Sequence, residues 1–210
     1  MLDLGIIIPV YNEERNIEDV LKKLKKFNVY VVNDGSTDQT INILNKYKNQ
    51  ITLVNLKKNE GYERAVLKGF EKTKNKFKHI ITLDGDGQHS TSQIEKTYKY
   101  FLDKNLDLLV GNRSNFNRIE EHILSFFFNL KFKIKDPLSG FKIYDSRKLN
   151  LILRKSKTDN TFLVGILVKY LKLNLKVGNY KIIAKKNKQS QIGNGISVRI
   201  KILNLLKFCF

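Results

Sequence analysis

The chain has 210 residues, with 39 Lys and Arg against 20 Asp and Glu and a formal net charge of +19. That length fits one large α/β domain or two small ones, with enough apolar surface to bury without disulfide or metal staples. A hydrophobic content of 41% excludes a disordered tail, and the single cysteine, Cys209, excludes a disulfide framework or a Cys-rich zinc site.

In chain order, Leu4 to Ile8 form an apolar run stopped by Pro9, the pattern of a strand buried on both faces. Residues 14–26 place Ile17, Val20, Leu21 and Leu24 at helical spacing. Val29 to Val32 predict a second strand, ended by the turn-forming Asn33-Asp34-Gly35-Ser36. A helix over 38–47, a strand over 51–56, a helix over 62–74 and a strand over 79–83 follow, the last ending at Asp84-Gly85-Asp86-Gly87. A helix over 91–103 and a strand from Leu106 to Val110 complete the first half. Such alternation predicts an open, mostly parallel sheet with helices on both faces. Ligands of such sheets bind at the carboxyl ends of the strands, where the polar clusters of this sequence fall.

The second half is less regular. A helix over 118–130 carries Arg118, His122, Ser125 and Asn129 as a narrow polar stripe on an otherwise apolar cylinder. Strand 141–144, helices 146–154 and 162–172 and strand 175–183 are predicted next. Residues 185–195 read as a polar loop, and 196–210 as a terminal helix with the stripe Ser197, Lys201, Asn204 and Lys207. Both striped helices suit a membrane interface or simple packing on the sheet. No internal repeat or linker divides the chain. No apolar run approaches the ~18 residues of a membrane span. The first residues show no basic secretory leader. The charge excess points to a polyanion: nucleic acid, an anionic membrane or a phosphorylated substrate.

Several residues can carry chemistry. Asp84 and Asp86, one residue apart after a buried strand, can hold a hard divalent ion with Gln88 adding a carbonyl oxygen, or they can cap backbone amides in a Gly-rich turn. Asp34 can accept from a nucleobase or ribose, or it can belong to a turn capping the next helix. Tyr11 can stack on a base and Glu13 can bind a ribose, or Asn12 can merely start a helix.

Taken in order, Ile8-Pro9-Val10-Tyr11-Asn12-Glu13, Val32-Asn33-Asp34-Gly35-Ser36-Thr37-Asp38, Asn59-Glu60-Gly61 and Leu83-Asp84-Gly85-Asp86-Gly87-Gln88-His89 resemble the family 2 glycosyltransferases of GT-A fold. Gly111-Asn112-Arg113 and Asp136-Pro137-Leu138-Ser139-Gly140-Phe141 resemble later motifs of the polyprenyl-phosphate branch, which includes the dolichyl-phosphate mannose synthases. The resemblance is good over roughly residues 4–145.

It implies a single GT-A domain with a nucleotide-sugar half (1–110), an acceptor-side half (111–195) and an amphipathic terminal helix (196–210). It implies an inverting transferase that moves mannose or glucose from GDP-mannose or UDP-glucose to a polyprenyl or dolichyl phosphate. Pro9, Tyr11, Glu13, Asp34, Asp84 and Arg113 would bind the nucleotide sugar. Asp84, Asp86 and Gln88 would hold Mg²⁺ or Mn²⁺. Asp86, Arg113 and Asp136 would serve catalysis, and Ser139, Lys186 and Lys188 the acceptor. Gln191 and Gly165 stand where the branch usually has a basic and an acidic residue.

The expected location is cytoplasmic, peripheral on the membrane, without nucleic acid as a partner. Two other readings are a transferase acting on a glycan hydroxyl, with Asp136 as base, and a non-catalytic basic binding protein.

Overall fold

The computed structural model describes residues 3–85, 90–113, 116, 118–154, 162–183 and 196–210. Seven strands form one mixed sheet in the order β3-β2-β1-β4-β6-β5-β7. They are β1 (Leu4–Val10), β2 (Asn28–Asn33), β3 (Ile51–Asn55), β4 (His79–Thr82), β5 (Leu108–Asn112), β6 (Lys142–Asp145) and β7 (Val177–Lys181). The helices are α1 (Ile17–Lys23), α2 (Thr40–Lys46), α3 (Tyr62–Thr73), α4 (Thr91–Asp103), α5 (Ile119–Phe132), α6 (Ser146–Arg154), α7 (Phe162–Lys172) and α8 (Ile196–Asn204), the last followed by a 3₁₀ turn (Leu205–Phe208).

Successive side chains of a strand point to opposite faces, and this period builds two cores. Leu4, Ile6, Ile8, Val29 and Val31 pack with Ile17 and Leu21 of α1, Leu44 of α2 and Ile94 and Phe101 of α4. Ile7, Tyr30 and Val32 face the other way, with Ala65, Val66 and Phe70 of α3, Leu124 and Phe128 of α5, Leu149 of α6 and Leu167 of α7.

The expected α/β sheet with helices on both faces is present, and its strand ends differ from the expected ones by one or two residues, β7 being two residues shorter at each end. β1 continues through Pro9 to Val10. Pro9 lies beyond the last β1–β4 pair, Ile7 with Thr82, so its missing N–H interrupts no pair there. β5 begins two residues later than expected, because the Leu106 N–H donates to the Phe101 carbonyl at 3.2 Å at the end of α4, and the ladder with β7 starts at Leu108 with Val177.

β6 runs antiparallel to both neighbours, whereas β1, β2, β3, β4, β5 and β7 share one direction. Its amino end therefore lies at the edge where the parallel strands end. That geometry brings the turn Asp136–Phe141 to the same edge as the loops after β1 and β2 and against those after β4 and β5, where Gly140 meets Asp84 and Asp136 meets Arg113.

Candidate functional site

The loop after β2 is built around two acceptors. Asn33 Oδ1 accepts from the Ser36 backbone N–H at 3.3 Å, and its amide donates to Asn55 at 2.6 Å. Asp34 is 3% exposed, and its two carboxylate oxygens accept from the backbone N–H groups of Glu60 (2.7 Å) and Gly61 (2.9 Å). Asp34 therefore ties the β2 loop to the start of α3. Gly35 has φ +67, and a Cβ there would fall 2.4 Å from the Lys58 carbonyl carbon, so only glycine fits.

The loop after β1 docks on this frame. The Asn12 N–H donates to Ser36 Oγ (3.0 Å), the Asn12 carboxamide oxygen accepts from the Thr37 N–H (2.8 Å), and the Glu13 N–H donates to Thr40 Oγ1 (2.8 Å). Tyr11 is 38% exposed, so its ring is open to a ligand. Burial pushes the Glu13 carboxyl up from its usual range; the Asn16 hydrogen bond opposes this, and the charges of Asp38 and Asp84 add to it. The cleft is thus locally acidic in a strongly basic protein.

Asp84, just past β4, accepts from the Tyr62 hydroxyl at 3.0 Å. Its carboxylate lies flat on Gly140, where an added Cβ would sit 2.1 Å from Oδ1. Gly140 is in turn held by Thr82, whose hydroxyl donates to the Gly140 carbonyl at 2.7 Å. Asp84 is a hard oxygen donor and fits Mg²⁺ or Mn²⁺ better than a softer metal. Asp86 and Gln88, its expected partners, lie outside the described residues. Among the described residues no cluster of three or more His, Cys, Asp or Glu side chains can hold a metal by itself.

On the far side, Arg113 donates from Nε to Asp136 Oδ2 (2.8 Å) and from Nη2 to Oδ1 (3.0 Å), and its backbone N–H also reaches Oδ2 (3.2 Å). Nη2 lies 3.6 Å from Glu121, which accepts from Arg118 at 2.8 Å. The carboxylates of Asp136 and Glu121 are 1% and 5% exposed. Burial alone would lower the Arg113 pKa, but the hydrogen bonds and charge of Asp136, then Glu121 and Asp84, raise it above its usual value. The guanidinium also covers the Phe116 ring, with its carbon 5.5 Å from the centroid.

The fold therefore gathers Pro9, Tyr11, Glu13, Asp34, Asp84, Arg113, Asp136 and Ser139 at one edge of the sheet. Ser139 is buried, with its hydroxyl engaged by the Phe141 backbone N–H at 3.2 Å. Lys186 and Lys188, like Gln191, lie outside the described residues.

Four residues that sequence reasoning passed over belong here: Tyr62, Glu63, Glu121 and Lys142. Glu63 accepts from the Leu163 N–H at 3.4 Å and so meets the first turn of α7. Lys142 is 3% exposed. Burial pushes its ammonium down to about 8; Asp136, Asp84 and Glu63 act upward on it and Arg113 downward. The signal for Lys142 was available, since Phe141-Lys142-Ile143-Tyr144 sets a charge among the apolar residues of a buried strand. Glu121 had none, because nothing local separates a buried acid from a solvated one.

Residues 5–162 match the profile of Glycosyl transferase family 2. An uncharacterized protein of Methanocaldococcus jannaschii is 44% identical over 115 residues, covering 51% of this chain and 50% of its own. The UDP-N-acetylglucosamine–dolichyl-phosphate N-acetylglucosaminyltransferase of Methanococcus voltae is 28% identical over 127 residues, covering 51% of each chain. The chain spans about half the length of such curated relatives. Glucosyl-3-phosphoglycerate synthase of Mycobacterium tuberculosis, solved with Mn²⁺, uridine diphosphate and phosphoglyceric acid, has a similar fold. Its TM-score is 0.76 at 16% identity, covering 98% of this chain and 78% of that one.

Proposed function

The chain belongs to glycosyl transferase family 2, and from that membership we propose an inverting, divalent-metal-dependent transfer of a hexose from a nucleotide sugar to a polyprenyl phosphate. The observation that carries the proposal is the meeting of five loops, those after β1, β2, β4 and β5 and the turn before β6, at one edge of the sheet. The M. voltae relative, named for a UDP-sugar donor and a dolichyl-phosphate acceptor, supports the substrate class. The Mn²⁺ and uridine diphosphate bound by the M. tuberculosis synthase support the donor side.

In this reading Pro9, Tyr11, Glu13 and Asp34 form the nucleoside pocket, and GDP-mannose and UDP-glucose are the donors to try first. Asp84, with Asp86 and Gln88, would hold Mg²⁺ or Mn²⁺, which neutralises charge on the departing diphosphate. An acceptor phosphate oxygen forms the new bond to the anomeric carbon as the bond to the diphosphate breaks, and the nucleoside diphosphate leaves. A phosphate acceptor is already anionic and needs no general base. That agrees with Asp136, whose two oxygens both receive hydrogen bonds from Arg113 and are poorly placed to take a proton from a glycan hydroxyl. Arg113 and Asp136 then border the sugar as a fixed pair, with Ser139, Lys186 and Lys188 on the acceptor side.

The acceptor is a lipid, and α5 offers a surface for its membrane. Ile119, Ile123, Phe126 and Leu130 follow one another at i, i+4, i+7 and i+11 and are all exposed, Ile119 at 75% and Phe126 at 64%. The expected polar stripe is partly turned inward: Ser125 donates to the Lys135 carbonyl and Arg118 to Glu121. Beside this row lie exposed Ile200, Leu203 and Phe210. The two elements meet through the edge-to-face rings of Phe127 and Phe210 at 5.4 Å and through Lys131, which donates to the Cys209 carbonyl at 3.0 Å. Exposed Lys131, Lys133, Lys135, Lys201 and Lys207 flank the patch and suit anionic headgroups. No helix among the described residues is long and apolar enough to cross a membrane; the contact proposed for this patch is peripheral, on the cytoplasmic face.

Labelled nucleotide sugars, offered singly with Mn²⁺ and polyprenyl phosphate, test the activity. Label extracted with the lipid supports it. Folded protein that consumes no donor overturns it, and label on a soluble glycan redirects it to a hydroxyl acceptor. Flotation with anionic vesicles tests the surface: Phe126→Asp is expected to stay in the bottom fraction while the parent chain floats.

A further inference from the structure

We infer that Lys142 is a positioning residue of this site, which uses its buried ammonium to hold the turn Asp136–Gly140 against Asp84 and is kept for that task at the expense of stability. The inference rests on the donor reading above and adds a residue that reading does not use.

Lys142 opens β6 in the middle of the sheet, paired with Thr82 of β4 on one side and Val110 of β5 on the other. Lysine is almost never fully buried without a partner, because desolvating an ammonium is costly. Here the ammonium donates back to the Ser139 carbonyl. Its pair mate Thr82 donates to the next carbonyl of the same turn, that of Gly140, at 2.7 Å. Two side chains from neighbouring strands thus grip consecutive carbonyls. The gripped segment is the one whose Gly140 touches the Asp84 carboxylate, so a movement of the turn moves the space open to Asp84.

The charges explain why lysine is useful there. Asp84, Asp136 and Glu63 converge on this region, and Arg113, the other cation acting on Lys142, is bound to Asp136 and Glu121. The ammonium offsets carboxylates crowded behind the candidate metal site. A methionine of similar length would avoid the desolvation cost but leave the Ser139 carbonyl without this donor, so the fold gives a reason for a donor there and none for a full charge.

Lys142→Met and Lys142→Gln, compared with the parent chain, test this with two readouts: the thermal midpoint at pH 7, and the Mn²⁺-dependent affinity for UDP and for GDP by titration calorimetry. Residues behind a metal ligand typically cost about 10–100-fold in metal affinity when changed, so at least about a tenfold loss is expected for Lys142→Met. Its midpoint is expected to rise by about 4–8 °C. Lys142→Gln, which keeps a donor for the Ser139 carbonyl, is expected to lose less affinity. A variant that melts below the parent chain, or that fails to fold, overturns the inference by making Lys142 a residue of the fold. Parent-like affinity in both variants overturns it too and leaves the donor reading intact. A parent chain that binds neither nucleotide with Mn²⁺ overturns the donor reading, and this role with it.

Discussion

The two halves of the sheet solve the problem of polar groups at strand ends differently. In the half made of β3, β2, β1 and β4, polar side chains mainly serve the backbone. Asp34 binds two amides, and Asn12, Ser36 and Thr40 cap nearby N–H groups. In the half made of β6, β5 and β7, buried charges bind one another across long stretches of chain. Arg113 meets Asp136 23 residues away, and both meet the Glu121–Arg118 pair through Arg113. Neutral and backbone contacts build loops, whereas buried ion pairs stabilise little relative to apolar packing yet are very sensitive to loss of one member.

That contrast ranks the effects of substitution. Asp136→Ala strands a mostly buried guanidinium and is expected to cost about 3–5 kcal/mol, read from urea unfolding. A loss under about 1 kcal/mol would mean that the Arg113 cluster is not a buried network.

Lys142 comes next, and its effect depends on pH. Its folded pKa, about 8, lies below the ordinary 10.5, so between those values the unfolded chain binds more protons and stability rises with pH. The cost of burying the charge is full below about pH 8 and fades towards pH 10.5. The shift from 10.5 to about 8 is worth about 3 kcal/mol, and losing the hydrogen bond to the Ser139 carbonyl takes back about 1 kcal/mol. Lys142→Met is therefore expected to be more stable than the parent by about 2 kcal/mol at pH 7, with the gap closing by pH 10. A gap that does not change with pH would remove the desolvated ammonium from the account.

Asp34→Ala frees two backbone amides of the α3 start and is expected to cost about 1–3 kcal/mol in the same unfolding measurement. Water can reach that loop more easily than the Arg113 cluster, so its loss should be the smaller of the two carboxylate substitutions. At the bottom, the Glu18–Lys22 pair lies on the surface of α1 with both side chains about half exposed. Lys22→Ala is expected to change stability by less than about 0.5 kcal/mol.

The same contrast explains what was legible in the sequence. Strands such as β1 and β2 and helices such as α3 and α4 could be read within a residue or two at most ends, because one buried face repeats at a fixed period and the turns carry Asn, Asp and Gly. Pro9 misled at the end of β1, because an apolar run broken by proline gives no hint that its N–H side faces an unpaired position. α1 is shorter than its apolar spacing suggests, since Glu13 to Asn16 form a turn, with the Asn16 N–H donating to the Glu13 carbonyl at 3.0 Å.

In the second half the helices were legible, but the antiparallel insertion of β6 between β4 and β5 was not, and that insertion brings Asp136, Gly140 and Lys142 to Asp84. Asp34, Asp84 and Arg113 could be named from their motifs. Their partners Tyr62 and Glu121 could not, and although Gly61 and Gly140 stand in motifs, nothing in spacing says that they meet Asp34 and Asp84, because those contacts depend on strand order. On α5, apolar residues lie outward and the buried positions include an acid, Glu121, a reversal that periodicity alone cannot separate from core packing.

The proposed activity requires the edge holding Asp84 to bind a nucleotide sugar and pass its sugar to a lipid phosphate. The most direct measurement is release of nucleoside diphosphate and formation of lipid-linked sugar by the parent chain and by Asp84→Asn, side by side with Mn²⁺ and polyprenyl phosphate. The prediction is a lipid-linked product from the parent chain, and at least a hundredfold less from an Asp84→Asn protein that melts at the same temperature. Equal turnover by the two, or none by the folded parent with any donor tried, would contradict it.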